Sequence, residues 1–388
     1  MLDNDVLVVN AGSSSLKLAV LDPGDQVTAS LELERWDDSA DHRELAEFLE
    51  GRNGIQAAGH RVVHGGRDYT GPVLVDQAVQ AGIEALTDLA PLHQGRALAG
   101  IEAVRRVLPG VPAVACFDTA FHARLPAAAA TYALPAQWRR QFGQGRFTLR
   151  RYGFHGLSHG YAARRAAQLL DGDLASLRIV TCHLGAGASL AAVSGGRSVD
   201  TTMGFTPTEG LVMNTRSGSV DPGLVLWLAQ HGGLGPAELT DGLERQAGLA
   251  GLADLASGSG DLRDVRAAAQ AGSPEAGLAI EVYLHQLRRE IAAMAAAMNG
   301  LDALVFTGGV GEHDPGIRAG AADGLAFLGV AVDPGRNAAA TGDTEITAAG
   351  APVRTLRITA REDVEIARQA RELIHPSIRT SPAGPPPA

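Results

Sequence analysis

Short apolar runs separated by Gly, Ser and Asp punctuate the first part of the chain. Val6–Val9, Leu16–Leu21 and Val27–Leu33 alternate with turn residues and predict a β-meander. Helical stretches are expected at His42–Leu49 and Val79–Leu86, the latter carrying apolar residues at helical spacing. Val111–Phe117 reads as a short buried strand, and it delivers the carboxylate of Asp118 at its C-terminal end. The pattern then restarts. Ile179–Leu184 predicts a strand, Gly185-Ala186-Gly187-Ala188 a tight turn and Ser189–Val193 a returning strand. After an Ala-rich helix expected over Glu275–Met298, Ala303–Thr307 predicts a strand entering the Gly-rich turn Gly308-Gly309-Val310-Gly311 and then a helix. Two meander-plus-helix halves of one architecture are therefore expected.

Length supports that division, because 388 residues exceed the size at which one core stops growing. A cleft between two domains is the expectation. Apolar residues at 45% and charged residues at 20% describe an ordinary globular chain. The Pro-rich end from His375 lacks periodicity and is expected to stay flexible. A net charge of -10 argues against general nucleic-acid binding, which draws on clustered basic residues, so any anionic ligand must meet local arginines. The acidic start Met1–Asp5 and the lack of a long apolar run predict no signal peptide and no membrane span, with the cytoplasm as the expected location. Cys116 and Cys182 sit in apolar runs and read as buried free thiols. No Cys/His spacing suggests a metal centre.

The candidate chemistry begins at Lys17, the only lysine in the chain, which closes Asn10-Ala11-Gly12-Ser13-Ser14-Ser15-Leu16-Lys17. A strand, a Gly/Ser turn and an ammonium group offer N–H donors, hydroxyls and a cation to phosphate oxygens. The turns at 185–188 and 308–311 repeat the theme, since glycine lets backbone approach an anion closely. Neither a P-loop nor a dinucleotide-binding glycine pattern is present. Arginines and histidines recur in short distinctive strings: His60–Gly66, Arg151–His159 and Asn214–Ser219. Arginine forks and a histidine N–H suit the charge spread over a phosphoryl group in transfer. Asp118 and Glu362 are candidates to hold Mg²⁺, which takes one or two carboxylates plus water and phosphate oxygens.

On these residues the chain resembles the acetate kinase family, within the acetate and sugar kinase, heat-shock-protein and actin superfamily, from Val6 to about Arg371. Asn10–Lys17, Gly59–Gly66, Phe117–His122, Tyr152–His159, Met203–Gly210 and Thr215–Gly223 carry the resemblance. It implies an α/β fold of two ribonuclease-H-like domains of duplicated topology with an interdomain cleft. The N-terminal domain would span 1–121 plus 364–388, with a returning C-terminal helix, and the nucleotide-binding domain 122–363. Arg61 would grip the carboxylate substrate, Arg216 and His155 would stabilise the in-line transition state, and Asp118 would be the active-site acid near the metal. Asn10 and Glu362 look like the positions for Mg²⁺ or Mn²⁺. Lys17, His183-Leu184-Gly185-Ala186-Gly187, Asp261-Leu262-Arg263 and Gly309-Val310-Gly311-Glu312-His313 correspond to the nucleotide-binding segments for ATP. Val63, Leu92, Phe154 and Pro207, with His93 beside Leu92, match the acyl pocket.

The chain departs from the family pattern in places. His93-Gln94-Gly95-Arg96-Ala97 stands where the family usually has His-Asn-Pro-Pro-Asn; Ala186 and His313 each replace Asn, and Leu262 replaces an aromatic. Extra sequence around Gln144–Thr148 reads as a surface loop. The implied reaction is reversible, ATP-dependent phosphorylation of a short carboxylate, acetate first, with propionate or butyrate as the alternatives. A nucleotide-sensing protein of the same superfamily is the non-enzyme alternative, disfavoured by Arg61, His155 and Arg216. The implied partners are a small carboxylate and a nucleotide, with neither nucleic acid nor membrane, in a homodimer.

Overall fold

The computed structural model describes residues 5–12, 15–34, 36, 43–91, 93–143, 145 and 147–375. The Pro-rich end from 376, Ser13, Ser14, Leu92 and Gln144 lie outside the described residues. Two compact units emerge: the described residues of 1–121, 142–148 and 361–388, and those of 122–141 and 149–360.

In the first unit the expected meander forms as β1 (Asp5–Ala11), β2 (Ser15–Leu21) and β3 (Val27–Glu34). β4 (Ile55–Val62) and β6 (Ala113–Phe117) extend the sheet parallel to β1, and β5 (Val73–Leu74) closes it antiparallel, in the order β3-β2-β1-β4-β6-β5. The alternation of apolar positions puts Leu7, Val9, Leu16, Leu18 and Ala58 into one core with Ala103 and Val104 of the helix Gln94–Val107. The helix Glu362–Ile374 packs on β1, β4 and β6. Gly59 permits this approach, since a Cβ there would lie 2.5 Å from Cγ2 of Ile366. That contact matters because this helix starts with Glu362.

The second unit repeats the order. β7 (Arg178–Leu184), β8 (Ala188–Ser194) and β9 (Arg197–Thr201) form the meander; β10 (Ala303–Thr307) and β12 (Arg354–Arg357) run parallel to β7, and β11 (Thr344–Glu345) closes the edge as β11-β12-β10-β7-β8-β9. The two sheets thus share one topology, as the repeated pattern predicts. The Ala-rich helix runs from Pro274 to Ala297. Cys116 and Cys182 are free and buried.

The segment after β10 differs from the expected turn. Only Gly308 makes it, at φ 77°, and Gly308–His313 is already helical. Glycine is required at this entry, because a Cβ on Gly308 would meet the Leu184 backbone at 2.8 Å. Among the described residues no helix is long and apolar enough to cross a membrane.

Candidate active site

In the first unit, three adjacent parallel strands bring chemistry to their C-terminal ends, where ligands of open α/β sheets bind. β1 carries Asn10, β4 carries Arg61 and Asp118 follows β6 directly. Arg61 donates to Asp118 through both Nε, at 3.1 Å, and Nη2, at 2.7 Å. Its Nη1 lies 3.4 Å from Asn10 Oδ1 and 3.7 Å from a carboxylate oxygen of Glu362. Burial opposes the charge on Arg61, but Asp118 and Glu362 outweigh it and push its pKa up. The guanidinium is therefore fixed, with Asp118 1% exposed behind it.

Three oxygen-bearing side chains thus meet the Arg61 guanidinium, Asp118 along its Nε/Nη2 edge and Asn10 and Glu362 at Nη1. Asn10, Asp118 and Glu362 are donors suited to a hard cation that keeps several water or phosphate ligands. Among the described residues no group of three His, Cys, Asp or Glu could hold a metal with protein side chains alone. A cation held there would need further oxygen ligands from water or phosphate.

Lys17 lies on β2 opposite Asn10, and its Nζ pairs with Glu32 of β3 at 2.8 Å. With both side chains half exposed, this is a screened surface pair of small energetic weight. Val63 is half-buried just beyond β4. His93 occupies the N-cap of Gln94–Val107. The departure at Gln94 has a structural account. Its buried amide donates to the His64 carbonyl at 3.0 Å and accepts from the His64 N–H at 3.3 Å, which pins the backbone beside Val63.

In the second unit, His155 sits at the N-cap of the helix Gly156–Leu169 in a left-handed conformation, φ 55°. Residues at helical spacing from it, Ser158 and His159, face the same sheet. His155 Nδ1 lies 2.9 Å from Ser189 Oγ, and the His155 and His183 rings stack at 4.4 Å. His183 Nδ1 is 2.7 Å from Ser158 Oγ. At Gly187 a Cβ would stand 3.4 Å from Cε1 of His155 and 3.5 Å from Nη1 of Arg216. The turn after β7, His155 and Arg216 are thereby gathered in one place, and the Asn214 N–H donates to the Ala186 carbonyl at 3.3 Å.

Arg216 is unusual among these arginines. It forms no ion pair among the described residues, and its side-chain contact is Met213 Sδ, 4.0 Å from Nη1. Burial lowers its pKa, partly offset by Glu244. A half-buried guanidinium without a carboxylate is costly to keep, and an anion would relieve that cost.

Phe154 is buried beside His155, and Pro207 is half-buried in the segment Met203–Gly210. Arg151 holds this segment, donating to the carbonyls of Thr202 and Met203 and pairing with Glu209 at 2.6 Å. Tyr132 donates to Glu209 and accepts from the Phe205 N–H. Sequence reasoning missed this clamp, and also Ser189. The isolated polar residue in the apolar run of β8 was the available signal for Ser189.

The remaining segments divide between surface and interior. Arg263 is exposed and pairs with Asp261, which its hydrogen bonds hold at a pKa of about 2. Leu262 is buried at 3% exposure. His313 is exposed and lines a cavity of ≈ 350 Å³ with Arg263, Arg266, Gln270 and Asp314. Gly309 is exposed and Val310 half-buried, whereas Gly311 and Glu312 are buried. Glu312 turns inward, accepting from the Ala360 N–H at 2.8 Å and facing Arg357.

Comparison with known proteins gives these sites a context. The model of the Acetokinase family matches residues 42–368. An acetate kinase of Synechococcus sp. (strain JA-2-3B'a(2-13)) is 49% identical over 82% of this chain and 77% of its own length. The crystal structure of Porphyromonas gingivalis acetate kinase superposes with a TM-score of 0.87 at 34% identity, covering 96% of this chain and 100% of that one. A propionate kinase from Francisella tularensis superposes with a TM-score of 0.86, also at 34% identity, over 95% of this chain and 99% of that one.

Proposed function

The chain belongs to the acetokinase family, and from that premise we propose that it transfers the terminal phosphoryl group of ATP to acetate, reversibly, giving acetyl phosphate and ADP. The observation that carries the reading is Arg216: a half-buried cation without an ion pair among the described residues, beside His155 and a glycine turn, has the charge and the place for a phosphoryl group. Arg61 takes the carboxylate, and Asp118 holds the Arg61 fork in position. A carboxylate acceptor is already ionised, so no strong base is needed and positioning with charge stabilisation supplies the catalysis. Asn10, Asp118 and Glu362 would hold Mg²⁺, which supplies charge neutralisation on the phosphate chain. The turn at Gly185–Gly187, with Ala186 exposed at its tip, and the Arg263–His313 cavity serve the nucleotide. Trapping the acyl phosphate with hydroxylamine, using ATP and acetate, tests the reaction. Absence of hydroxamate with acetate, propionate and butyrate alike would refute it.

Propionate is the second reading, favoured by the likeness to the propionate kinase at the same identity as to the P. gingivalis acetate kinase. Val63 is then the residue to change. Val63→Ala should shift the ratio of kcat/KM toward propionate or butyrate by roughly tenfold, in line with about 1–3 kcal/mol per methylene. An unchanged ratio removes Val63 from the acyl wall.

We further propose that the protein is a homodimer. The helix Pro222–His231 buries none of its residues, and Leu224, Leu226 and Trp227 are each at least half exposed. A second copy would cover that apolar face. Light scattering after gel filtration should give a dimer mass, and Leu226→Glu should give monomers; a monomeric wild-type protein refutes this.

A further inference from the structure

Behind His155 runs an unbroken line of polar side chains through the interior of the second unit. Ser189 Oγ stands 2.9 Å from His155 Nδ1 and 2.8 Å from His159 Nε2. His159 Nδ1 is in turn 2.8 Å from Thr181 Oγ1, whose hydroxyl has a second acceptor in the Ala191 carbonyl at the longer distance of 3.5 Å. Ser189, His159 and Thr181 are all fully buried. None belongs to a phosphate or carboxylate contact described above.

The chemistry of such a line is constrained. His159 is surrounded by protein, and burial, with His122 and His183 nearby, holds its pKa well below the usual imidazole range. A neutral imidazole has one N–H and one bare nitrogen. If the His159 N–H points to Ser189, the serine hydroxyl must give its own proton to His155 Nδ1. His155 then keeps its N–H on Nε2, the ring edge that lies beside Gly187 and Arg216. The opposite polarity, with His159 donating to Thr181, would leave a neutral His155 with a bare Nε2 beside that turn. Only the first arrangement lets a neutral His155 donate to an oxygen anion.

We propose that Ser189 and His159 are positioning residues that set the tautomer of His155, relaying hydrogen-bond polarity from Thr181 so that Nε2 carries the proton offered to the transferred phosphoryl group. This rests on the reading of His155 as a phosphoryl-binding residue. The relay itself is a statement about protonation and can be tested apart from activity.

Nitrogen-15 spectra of histidine-labelled protein separate the two tautomers. The wild type should show neutral His155 with its proton on Nε2, and Ser189→Ala should mix the tautomers. With ATP and acetate, Ser189→Ala should lower kcat by roughly tenfold to a hundredfold, the scale on which partners of functional histidines act, with the KM for ATP nearly unchanged. Ser189→Thr, which keeps the hydroxyl, should restore most of kcat. A wild-type His155 protonated on Nδ1 alone would overturn the relay without any variant needing to fold. So would a loss of kcat in Ser189→Ala with the tautomer unaltered. A normal tautomer in a protein without kinase activity would leave the relay standing and refute the function instead.

Discussion

Replacing Arg216 by alanine should lower kcat by about 10³-fold or more, the effect expected for an arginine that stabilises charge on a phosphoryl group in transfer. The expectation follows from what the side chain lacks. Arg61, Arg151, Arg178 and Arg266 each meet a carboxylate at 2.6–2.7 Å, and losing one of them would strand a partner. Among the described residues Arg216 has no such partner, so its removal leaves no orphaned charge there and the fold should tolerate it. Arg216→Lys keeps the charge without the planar fork and should recover only part of the rate. Circular dichroism and steady-state kinetics together decide the point. Near wild-type turnover in a folded Arg216→Ala protein would remove Arg216 from the chemistry.

Mild acid should destabilise the protein strongly, well before its carboxylates protonate. Burial lowers the pKa of His60 to about 3 and those of His64 and His122 to about 4, against 6.5 for a free imidazole. His60 is the plainest case, since neither ring nitrogen has a hydrogen-bond partner among the described residues. In the unfolded chain each ring takes up a proton near its ordinary pKa, whereas in the folded chain it stays neutral until far lower pH. Unfolding therefore binds protons between these limits. Stability from the neutral rings is complete above the ordinary imidazole pKa and is lost as pH falls toward 4 and then 3. Each ring should cost about 2 kcal/mol by about pH 5, a large share together of the roughly 5–15 kcal/mol that holds a domain. Urea midpoints measured at about pH 7.5 and about pH 5 should fall accordingly, and His60→Leu should reduce the pH dependence by about 2 kcal/mol. Equal midpoints would show that these rings are not held neutral.

Much of the fold was legible because it is local. Short apolar runs bounded by turn residues located β1 to β3, β7 and β8, and an apolar run ending in Asp118 marked a buried strand with a carboxylate at its end. The duplicated strand order follows from the same pattern appearing twice. The Gly-rich segments were visible as well, but their geometry was not. The segment 185–187 forms a turn, whereas a helix begins directly at Gly308, which lies too close to Leu184 for a side chain. Glycine reports that backbone can come close to something, not what it approaches.

The chain by itself determined which residues end strands, which faces are apolar and where cations and carboxylates cluster. Each of those properties is set by neighbours within a few positions. Only the tertiary structure decided that Arg61 meets Asn10, Asp118 and Glu362 together, that Lys17 lies beside Glu32 in a half-exposed pair, that Glu312 turns inward, and that Ser189 links two histidines. Such meetings depend on side chains delivered by different strands and helices, and their partners are chosen by how tightly small residues such as Gly59 and Gly187 let those elements approach.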